Sequence, residues 1–165
     1  MRAILHADNK WGIGKHNDLM FSLPADMKFF RDTTKGKVVV MGLNTLLSFP
    51  GGKPLKNRTN IVLCPDDVAE DVITVHNLQE LLAEVKKYPA DDVFVIGGAS
   101  VYALLFPYCS EILVTKVEED GGAEVFVPDL DADARYELVA QSEPVEDNGH
   151  IIRFCTYRNL APVLG

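Results

Sequence analysis

The sequence predicts an α/β protein built on a mostly parallel β-sheet, and three features of the chain support this fold class. Short, continuous runs of β-branched and other apolar residues end in glycine at 38–42 (VVVMG) and 93–97 (VFVIG), which is typical of strands covered on both faces. Segments with helical spacing of apolar residues alternate with these runs, and that alternation favours an α/β sheet. After Tyr108 three strand patterns follow without a helical segment. The last third of the chain is therefore expected to add antiparallel strands.

Two helices are predicted from their start signals. The first covers Pro24–Thr34 and has proline in its first turn. The second begins after Asn77, which would be the N-cap, with Glu80 completing a capping box. A turn is predicted at 147–149 (DNG). Further strands are predicted at 61–63, 72–75, 112–115, 136–139 and 151–157.

Length and composition bound the function. The 165 residues fit one domain, 1–165. The formal net charge of −8 excludes the basic stripe of a nucleic-acid surface and disfavours an anionic membrane face. The three cysteines form no CxxC pair, so neither a disulfide framework nor a zinc site is expected. No apolar stretch suits a signal peptide or a membrane span. We expect a cytoplasmic monomer that binds neither nucleic acid nor membrane.

Asp26 is the strongest candidate for a catalytic residue. It falls in the first turn of the predicted Pro24–Thr34 helix, where Met27 and Phe30 share its face. A carboxylate among large apolar side chains is partly desolvated and needs hydrogen-bond donors. A planar ligand with an N–H and an amino group side by side would donate one hydrogen bond to each carboxylate oxygen. The alternative is structural, because the helix macrodipole favours an acid in the first turn whatever its function.

Glycines at two strand-to-helix junctions suggest a dinucleotide site. Gly97 and Gly98 follow one predicted strand, and Gly42 follows another. Glycine allows backbone N–H groups to approach a phosphate at a helix N-terminus. Either junction alone also fits an ordinary tight turn, but two of them fit a ligand with two phosphates. The GIG at 12–14 does not continue as GxGxxG, so a Rossmann fingerprint is excluded.

Two other polar residues have a functional and a structural interpretation. Arg58 precedes a predicted strand and can clamp a carboxylate bidentately, or it is a solvated loop arginine. His6 lies within the first apolar strand, where histidine is more often a hydrogen-bonded core residue than a catalyst. The four histidines show no metal-ligand spacing, and no nucleophile elbow occurs. No metal site is expected.

The ordered set of motifs resembles dihydrofolate reductase almost from end to end. The matching stretches are residues 11–14 (WGIG), 23–30 (LPADMKFF), 40–42 (VMG), 57–63 (NRTNIVL), 95–102 (VIGGASVY) and 154–157 (FCTY). The resemblance implies a three-layer fold: an eight-stranded, mostly parallel sheet with an antiparallel C-terminal strand and about four flanking helices. It implies reduction of 7,8-dihydrofolate to 5,6,7,8-tetrahydrofolate by hydride transfer from NADPH. It also makes binding of antifolate inhibitors plausible.

The resemblance further implies residue roles. Asp26 would hold the pterin and promote protonation of N5, Thr115 would brace Asp26, and Phe21 would complete the catalytic group. The segment 13–23 would be a mobile loop over the nicotinamide. The substrate would contact Ile4, His6, Met27, Phe30, Phe49 and Leu55, with Arg58 on its glutamate tail. The cofactor would contact Ala7, Ile13, Gly14, Gly42, Asn44, Thr45, Leu63, Cys64, His76, Ile96, Gly97, Gly98, Ala99, Ser100, Val101 and Tyr102.

Several positions depart from the pattern that this family resemblance sets. Phe21 stands where tryptophan is frequent, Met20 where proline is, and His6 where alanine is usual. Leu43 and Pro65 replace residues that often contact cofactor phosphate. We therefore expect a smaller preference for NADPH over NADH than the family norm. His76 is the nearest candidate cation, and the preference should strengthen as pH falls toward about 6.5.

Two other functions stay open at this point. One is the reduction of another pterin-like or pyrimidine ring in the same fold, which Arg58 and the folate-wall residues disfavour. The other is a dinucleotide-binding protein without catalysis, which Asp26 disfavours. An assay with dihydrofolate and NADPH separates the second alternative from the enzyme, and a substrate panel separates the first.

Overall fold

A computed structural model describes residues 1–15, 20–68 and 71–164. Within these ranges it contains eleven strands and four α-helices, together with four short 3₁₀ turns. The helices are α1 Pro24–Thr34, α2 Leu43–Ser48, α3 Leu78–Val85 and α4 Ala99–Leu105. The strands are β1 Arg2–Ala7, β2 Gly12–Gly14, β3 Val38–Gly42, β4 Thr59–Leu63, β5 Ile73–Val75, β6 Val93–Gly97, β7 Glu111–Val117, β8 Val125–Phe126, β9 Tyr136–Gln141, β10 Val145–Asp147 and β11 His150–Asn159.

One large sheet dominates the structure. Its parallel part has the strand order β7-β1-β6-β3-β4-β5. The strand β11 lies antiparallel beside β7, and β9 and β10 follow one another along the outer edge of β11. The sheet is thus eight strands wide, and in the described part of the chain only β11 runs against the others. This confirms the predicted mostly parallel sheet with an antiparallel C-terminal strand. The strands β2 and β8 pair separately.

The helices cover both faces of this sheet, because strand side chains alternate between faces. Val38 and Val40 of β3 pack into a cluster with α3 and α4 residues. Val39 and Met41 pack on the other face with Leu46 of α2. The helix α1 lies on this second face, where its Phe29 ring meets Phe154 of β11 at a centroid distance of 5.0 Å. The result is the predicted three-layer arrangement.

The predicted local signals are found where the sequence placed them. Pro24 opens α1, and the Asn77 side chain accepts a hydrogen bond from the Glu80 N–H at 2.9 Å to cap α3. The turn before β11 has positive φ at Asn148 and Gly149, 53° and 81°, as a tight hairpin turn requires. The strands β2, β8 and β10 were not predicted, since two or three residues are too few to show a periodicity.

The parallel topology collects the carboxyl ends of β1, β6, β3, β4 and β5 along one edge of the sheet. In open α/β sheets ligands bind in the crevice outside these ends. In the described residues, no helix is long and apolar enough to cross a bilayer.

Candidate active site

Asp26 lies between α1 and the sheet, and each of its oxygens meets a different strand. The Thr115 hydroxyl of β7 donates to Oδ1 at 2.6 Å. The His6 ring nitrogen Nδ1 of β1 lies 3.3 Å from Oδ2, at the long end of hydrogen-bond distances. The Asp26 side chain is 14% exposed, so it is shielded from water without being sealed. The carboxylate therefore sits in a polar pocket with a narrow opening.

The sheet register explains why these two side chains reach one carboxylate. β1 and β7 are parallel neighbours, and His6 is the register partner of Thr115. Paired residues of adjacent strands project from the same face of a sheet. The first turn of α1 crosses above this pair, so Asp26 points down at both.

A second aspartate, Asp147, fixes the position of that helical turn. The helix-start residue Leu23 makes no side-chain cap. Instead the buried Asp147 of β10 accepts the Ala25 N–H at 3.0 Å and the Asp26 N–H at 3.2 Å. A carboxylate at a helix N-terminus satisfies otherwise free N–H groups and complements the macrodipole. Sequence reasoning identified 147–149 only as a turn and missed this role, which carries no local signal because the cap lies 121 residues from Asp26.

Phe21 forms an apolar wall beside His6. The two ring centroids are 6.1 Å apart, and the other side of Phe21 meets His150 edge-on at 5.0 Å. Below them Tyr102 of α4 is buried, and its hydroxyl donates to the Ile4 carbonyl at 2.8 Å. Burial, and after it the charge of Asp26, raises the pKa of Tyr102. Tyr102 therefore stays a neutral donor that ties α4 to β1.

Arg58 lies at the far end of α1, away from Asp26. Its Nε donates to Thr34 Oγ1 at 2.8 Å, and its Nη1 and Nη2 donate to the carbonyls of Lys56 and Arg31. Burial, and then the charge of Arg31, lowers the pKa of Arg58. Among the described residues no carboxylate forms an ion pair with it. A guanidinium has five N–H donors, so Arg58 keeps donors for an anion.

Between Asp26 and Arg58 lies the predicted apolar wall. Phe30 on α1 has the Arg58 guanidinium over its ring at 5.9 Å, and Phe49 and Leu55 pack into the cluster of α2. Met27 is 52% exposed, so in this structure the wall is open to solvent at that point. Asn60, which sequence reasoning did not single out, is buried and bridges the Leu55 N–H and carbonyl at 3.1 and 2.9 Å.

The two glycine junctions come together at the carboxyl edge of the sheet. β3 and β6 are neighbours, with Met41 opposite Gly97. A Cβ on Gly97 would lie 3.3 Å from Thr45 Oγ1, and its φ of 130° is closed to other residues. A Cβ on Gly42 would lie 3.1 Å from Val101. At both positions a side chain would press on the neighbouring helix, so the two strand-to-helix junctions are closely packed and expose only backbone.

The remaining predicted cofactor residues lie along the same edge, except for Ile13 and Gly14, which belong to β2. Part of the predicted mobile loop, residues 16–19, lies outside the described residues. The others are Ala7 and Ile96 near the ends of β1 and β6, Leu63 and Cys64 at the end of β4, Asn44 in α2, His76 after β5, and Gly98, Ala99 and Ser100 at the start of α4.

His76 is held by two carboxylates. Its Nε2 lies 2.8 Å from Asp67 and its Nδ1 lies 3.1 Å from Glu80. The hydrogen bond to Glu80, and next that to Asp67, raises the pKa of His76 above the ordinary value. A protonated His76 therefore carries one positive charge between two negative ones, and the cluster stays net negative. Leu43 and Pro65 add no charge.

The comparison with known families shows to which family this fold belongs. The family model described as dihydrofolate reductase matches residues 1–159. The chain belongs to the dihydrofolate reductase family.

Individual relatives agree with that family assignment. The dihydrofolate reductase of Bacillus subtilis is 35% identical over 137 residues, which span 82% of this chain and 79% of the relative. That of Haemophilus influenzae is 34% identical over 119 residues, 72% of each chain. Among solved structures, a dihydrofolate reductase from Enterococcus faecalis complexed with NADP(H) and RAB-propyl has a TM-score of 0.84 and 36% identity, covering 96% of this chain and 95% of that one.

Besides Asp26 and Asp147, a third aspartate supports the site of this dihydrofolate reductase family member. Sequence reasoning did not identify it. Asp8 is fully buried just after β1. Its carboxylate accepts the N–H groups of Lys10, Gly12 and Gly121 at 2.9, 2.8 and 3.0 Å. A Cβ on Gly121 would lie 2.9 Å from the Phe21 ring. Asp8 therefore fixes the backbone against which Phe21 packs.

Proposed function

We propose that this protein is an NADPH-dependent dihydrofolate reductase, which reduces 7,8-dihydrofolate to 5,6,7,8-tetrahydrofolate. Membership of the dihydrofolate reductase family supports this function, as does the NADP(H) in the Enterococcus faecalis structure. The observation that carries the proposal is the hydrogen-bonding state of Asp26. The other residue roles follow from its position.

Asp26 has capacity for two more donors. An ionised carboxylate accepts about four hydrogen bonds. Thr115 occupies one position on Oδ1 and His6 one on Oδ2. Among the described residues that leaves one free position on each oxygen. A pterin offers a ring N–H and a 2-amino group side by side, so it would fill both positions in a charge-assisted pair.

The reduction adds a hydride to C6 and a proton to N5 of the substrate. NADPH supplies the hydride when bound. The negative charge of Asp26 favours a protonated pterin ring, which makes C6 a better hydride acceptor. Thr115 and the Asp147-capped turn keep that carboxylate in one position, and Phe21 excludes water from one side. These residues hold the ring where hydride transfer requires it.

The two ends of the pocket suit the rest of the two ligands. Arg58, without a carboxylate partner among the described residues, would bind the glutamate tail of folate. The glycine junctions at Gly42 and at Gly97 and Gly98 would take the dinucleotide phosphates, because glycine lets backbone N–H groups at a helix start approach an anion closely. The residues present therefore fit a dinucleotide. They supply little charge for a 2′-phosphate, since His76 is already paired.

The proposed cellular setting follows from the charge and the cysteines. A net charge of −8 favours a soluble monomer, and the three cysteines are free and buried, as expected in a reducing cytoplasm. We also propose one domain over 1–165, no nucleic-acid or membrane partner, and binding of antifolate inhibitors in the substrate pocket, since the related Enterococcus faecalis enzyme was solved with RAB-propyl. Gel filtration and an inhibitor titration test the monomer and the inhibitor.

The first prediction tests the function through Asp26. The parent protein should oxidise NADPH in the presence of dihydrofolate, and Asp26→Asn should transfer hydride at least a hundredfold more slowly at neutral pH, because an amide carries no charge to favour the protonated ring. The variant should recover as pH falls, since solvent then protonates the substrate directly. Stopped-flow absorbance of NADPH over a pH series measures both.

The controls separate the alternatives. Asp147→Asn changes a neighbouring carboxylate that bonds backbone only, and its hydride transfer should fall far less than that of Asp26→Asn. Near-parental turnover of a folded Asp26→Asn at neutral pH contradicts the assignment of Asp26. Turnover of a tail-less dihydropterin or a pyrimidine in place of dihydrofolate would favour the rival reductases, and cofactor binding without turnover would favour the non-catalytic protein.

A further inference from the structure

His6 has hydrogen-bonding capacity that the reduction, as derived above, does not use. Its side chain is only 6% exposed, and it projects from β1 toward α1 beside Thr115. The nitrogen Nδ1 faces Asp26, while Nε2 is buried and has no partner within the described residues. Buried polar atoms without a partner are rare in folded proteins. In the same part of the chain the only other such side-chain atom is Arg2 Nε, at the opposite end of β1.

The contact with Asp26 fixes which nitrogen of His6 carries a proton. An ionised carboxylate only accepts hydrogen bonds, so His6 must donate from Nδ1. The nitrogen Nε2 is then an acceptor in the neutral ring and a donor in the imidazolium. Phe21, on one side of the ring, has no polar atom that would satisfy it. Nε2 is therefore a buried hydrogen-bonding position without a partner in the described residues, on the side of the ring away from Asp26 Oδ2.

We propose that His6 is a positioning residue of the reduction that forms one proton-sharing unit with Asp26, in which Nδ1–H holds Oδ2 and Nε2 is offered to the pterin ring or to a water molecule beside it. The identity of the substrate in this statement rests on the proposed function. The pairing itself does not, because it exists in the protein without any ligand.

The pair gives the pocket two charge states. With neutral His6 and ionised Asp26 the pair carries one negative charge, which favours a protonated pterin. Protonation of Nε2 brings the pair to zero charge and withdraws that support.

Four other titratable groups face this pair from the surrounding elements or lie just beyond them. Tyr102 of α4 stays protonated because burial raises its pKa. Asp147 of β10 is bonded to backbone N–H groups of α1. His150 of β11 lies on the far side of Phe21 and is paired with Glu119. Among the described residues His150 is the histidine nearest to this pocket after His6, so its substitution is the matched control.

The first test measures which ring nitrogen of His6 is protonated in the protein before any ligand is added. Nitrogen-15 NMR of the imidazole rings, over about pH 5 to about pH 9, should show Nδ1 of His6 protonated throughout, because it donates to the Asp26 carboxylate. A neutral ring protonated on Nε2 with a bare Nδ1 would overturn the pairing. This readout needs no substitution and no activity, so it stands even if the function proposed above fails.

The second test uses single-turnover hydride transfer over the same pH range. His6→Asn keeps an N–H donor near Oδ2 but cannot titrate, and His6→Ala keeps neither. At neutral pH His6→Ala should be about tenfold slower than the parent, the loss of one hydrogen bond to a charged group. His6→Asn should recover much of that rate, and His150→Gln should keep the parental rate. A folded His6→Ala with the parental rate, or a His6→Asn as slow as His6→Ala, overturns the proposal. If the variants do not fold, the NMR result on the parent decides.

Discussion

At the scale of single residues, this protein places three aspartates under or beside its site, each supplied with donors. Asp8 accepts three backbone N–H groups, Asp147 accepts two, and Asp26 accepts one hydroxyl and faces one imidazole. Burying a carboxylate is costly unless donors replace water. The first two bind only backbone N–H groups, whereas both partners of Asp26 are side chains and Asp26 keeps two acceptor positions for a ligand. This difference separates a structural aspartate from a functional one.

Arg58 likewise keeps hydrogen-bonding capacity for a ligand, here an anion. The second prediction concerns this residue. Arg58→Ala should raise the KM for dihydrofolate at least tenfold, since truncating one partner of a desolvated charge pair costs roughly 2–5 kcal/mol. The KM for a dihydropterin without the glutamate tail should hardly change. Steady-state kinetics with both substrates measure the difference.

Arg31→Ala is the control for this prediction, because Arg31 lies beside Arg58 and has the same charge but makes no predicted ligand contact. It should change both KM values little. Arg58 donates two hydrogen bonds to the end of α1, at Thr34 and Arg31, and one to Lys56 in its own loop. Equal losses for the two substrates in Arg58→Ala would mean that Arg58 acts through these structural contacts.

At the scale of elements, the N-terminus of α1 determines where Asp26 lies. The helix opens on a proline and a leucine, neither of which caps it, and Asp147 supplies the cap from another strand. The turn at Asn148 and Gly149 holds that strand, and Asn148 Nδ2 donates to the Ser22 carbonyl at 2.9 Å. The start of α1 is thus attached to the β10–β11 hairpin.

The third prediction concerns this cap. Asp147→Ala should lower the free energy of unfolding by about 1–2 kcal/mol, the usual cost of a lost N-cap. It should also slow hydride transfer, because Asp26 loses its fixed position relative to Thr115. Urea denaturation and single-turnover kinetics measure the two effects.

The control is Asp129→Ala, which removes the cap of a short 3₁₀ turn far from the site. It should cost some stability and leave hydride transfer unchanged. If Asp147→Ala and Asp129→Ala slow the reaction equally, the cap does not position Asp26.

The elements show what a sequence can predict. The helices α1 and α3 were located because their start signals, Pro24 and Asn77, are local. The long strands were located by their apolar runs. The role of Asp147 was missed, and Thr115 was named only by resemblance, because each acts on a residue about a hundred positions away. Such contacts depend on the register of the folded sheet, which local patterns do not contain.

At the scale of the whole molecule, negative charge dominates. The chain carries 24 acidic and 16 basic residues, yet its proposed cofactor is a polyanion. Backbone N–H groups at the glycine junctions can bind phosphate without side-chain charge. A 2′-phosphate at the adenosine end of the cofactor needs a cation to be selected, and there this chain offers His76 between two carboxylates. We therefore propose that discrimination between NADPH and NADH depends on this small cluster.

The last prediction follows from the charge of that cluster. Because its carboxylate partners raise the pKa of His76, the imidazolium persists to a higher pH than the ordinary value of about 6.5, and the pH window predicted from sequence moves upward. The ratio of kcat/KM for NADPH to that for NADH should be small for this family at every pH, and it should fall further as pH rises and His76 loses its proton. Comparison at about pH 7 and about pH 9 keeps a phosphate with a second pKa near 6 doubly ionised, so that His76 is the group that changes.

Three variants test this cluster directly. His76→Ala should lower the ratio at about pH 7 and abolish its pH dependence, since two uncompensated carboxylates then face the phosphate. Asp67→Asn should raise the ratio at about pH 7, because one repulsive charge is removed while Glu80 still stabilises the imidazolium. Asp66→Asn, the adjacent residue, removes the same charge without touching His76, and it should raise the ratio less. A large ratio that is insensitive to pH and to all three substitutions would mean that a different cation binds the 2′-phosphate and that His76 only joins β5 to α3 through Glu80.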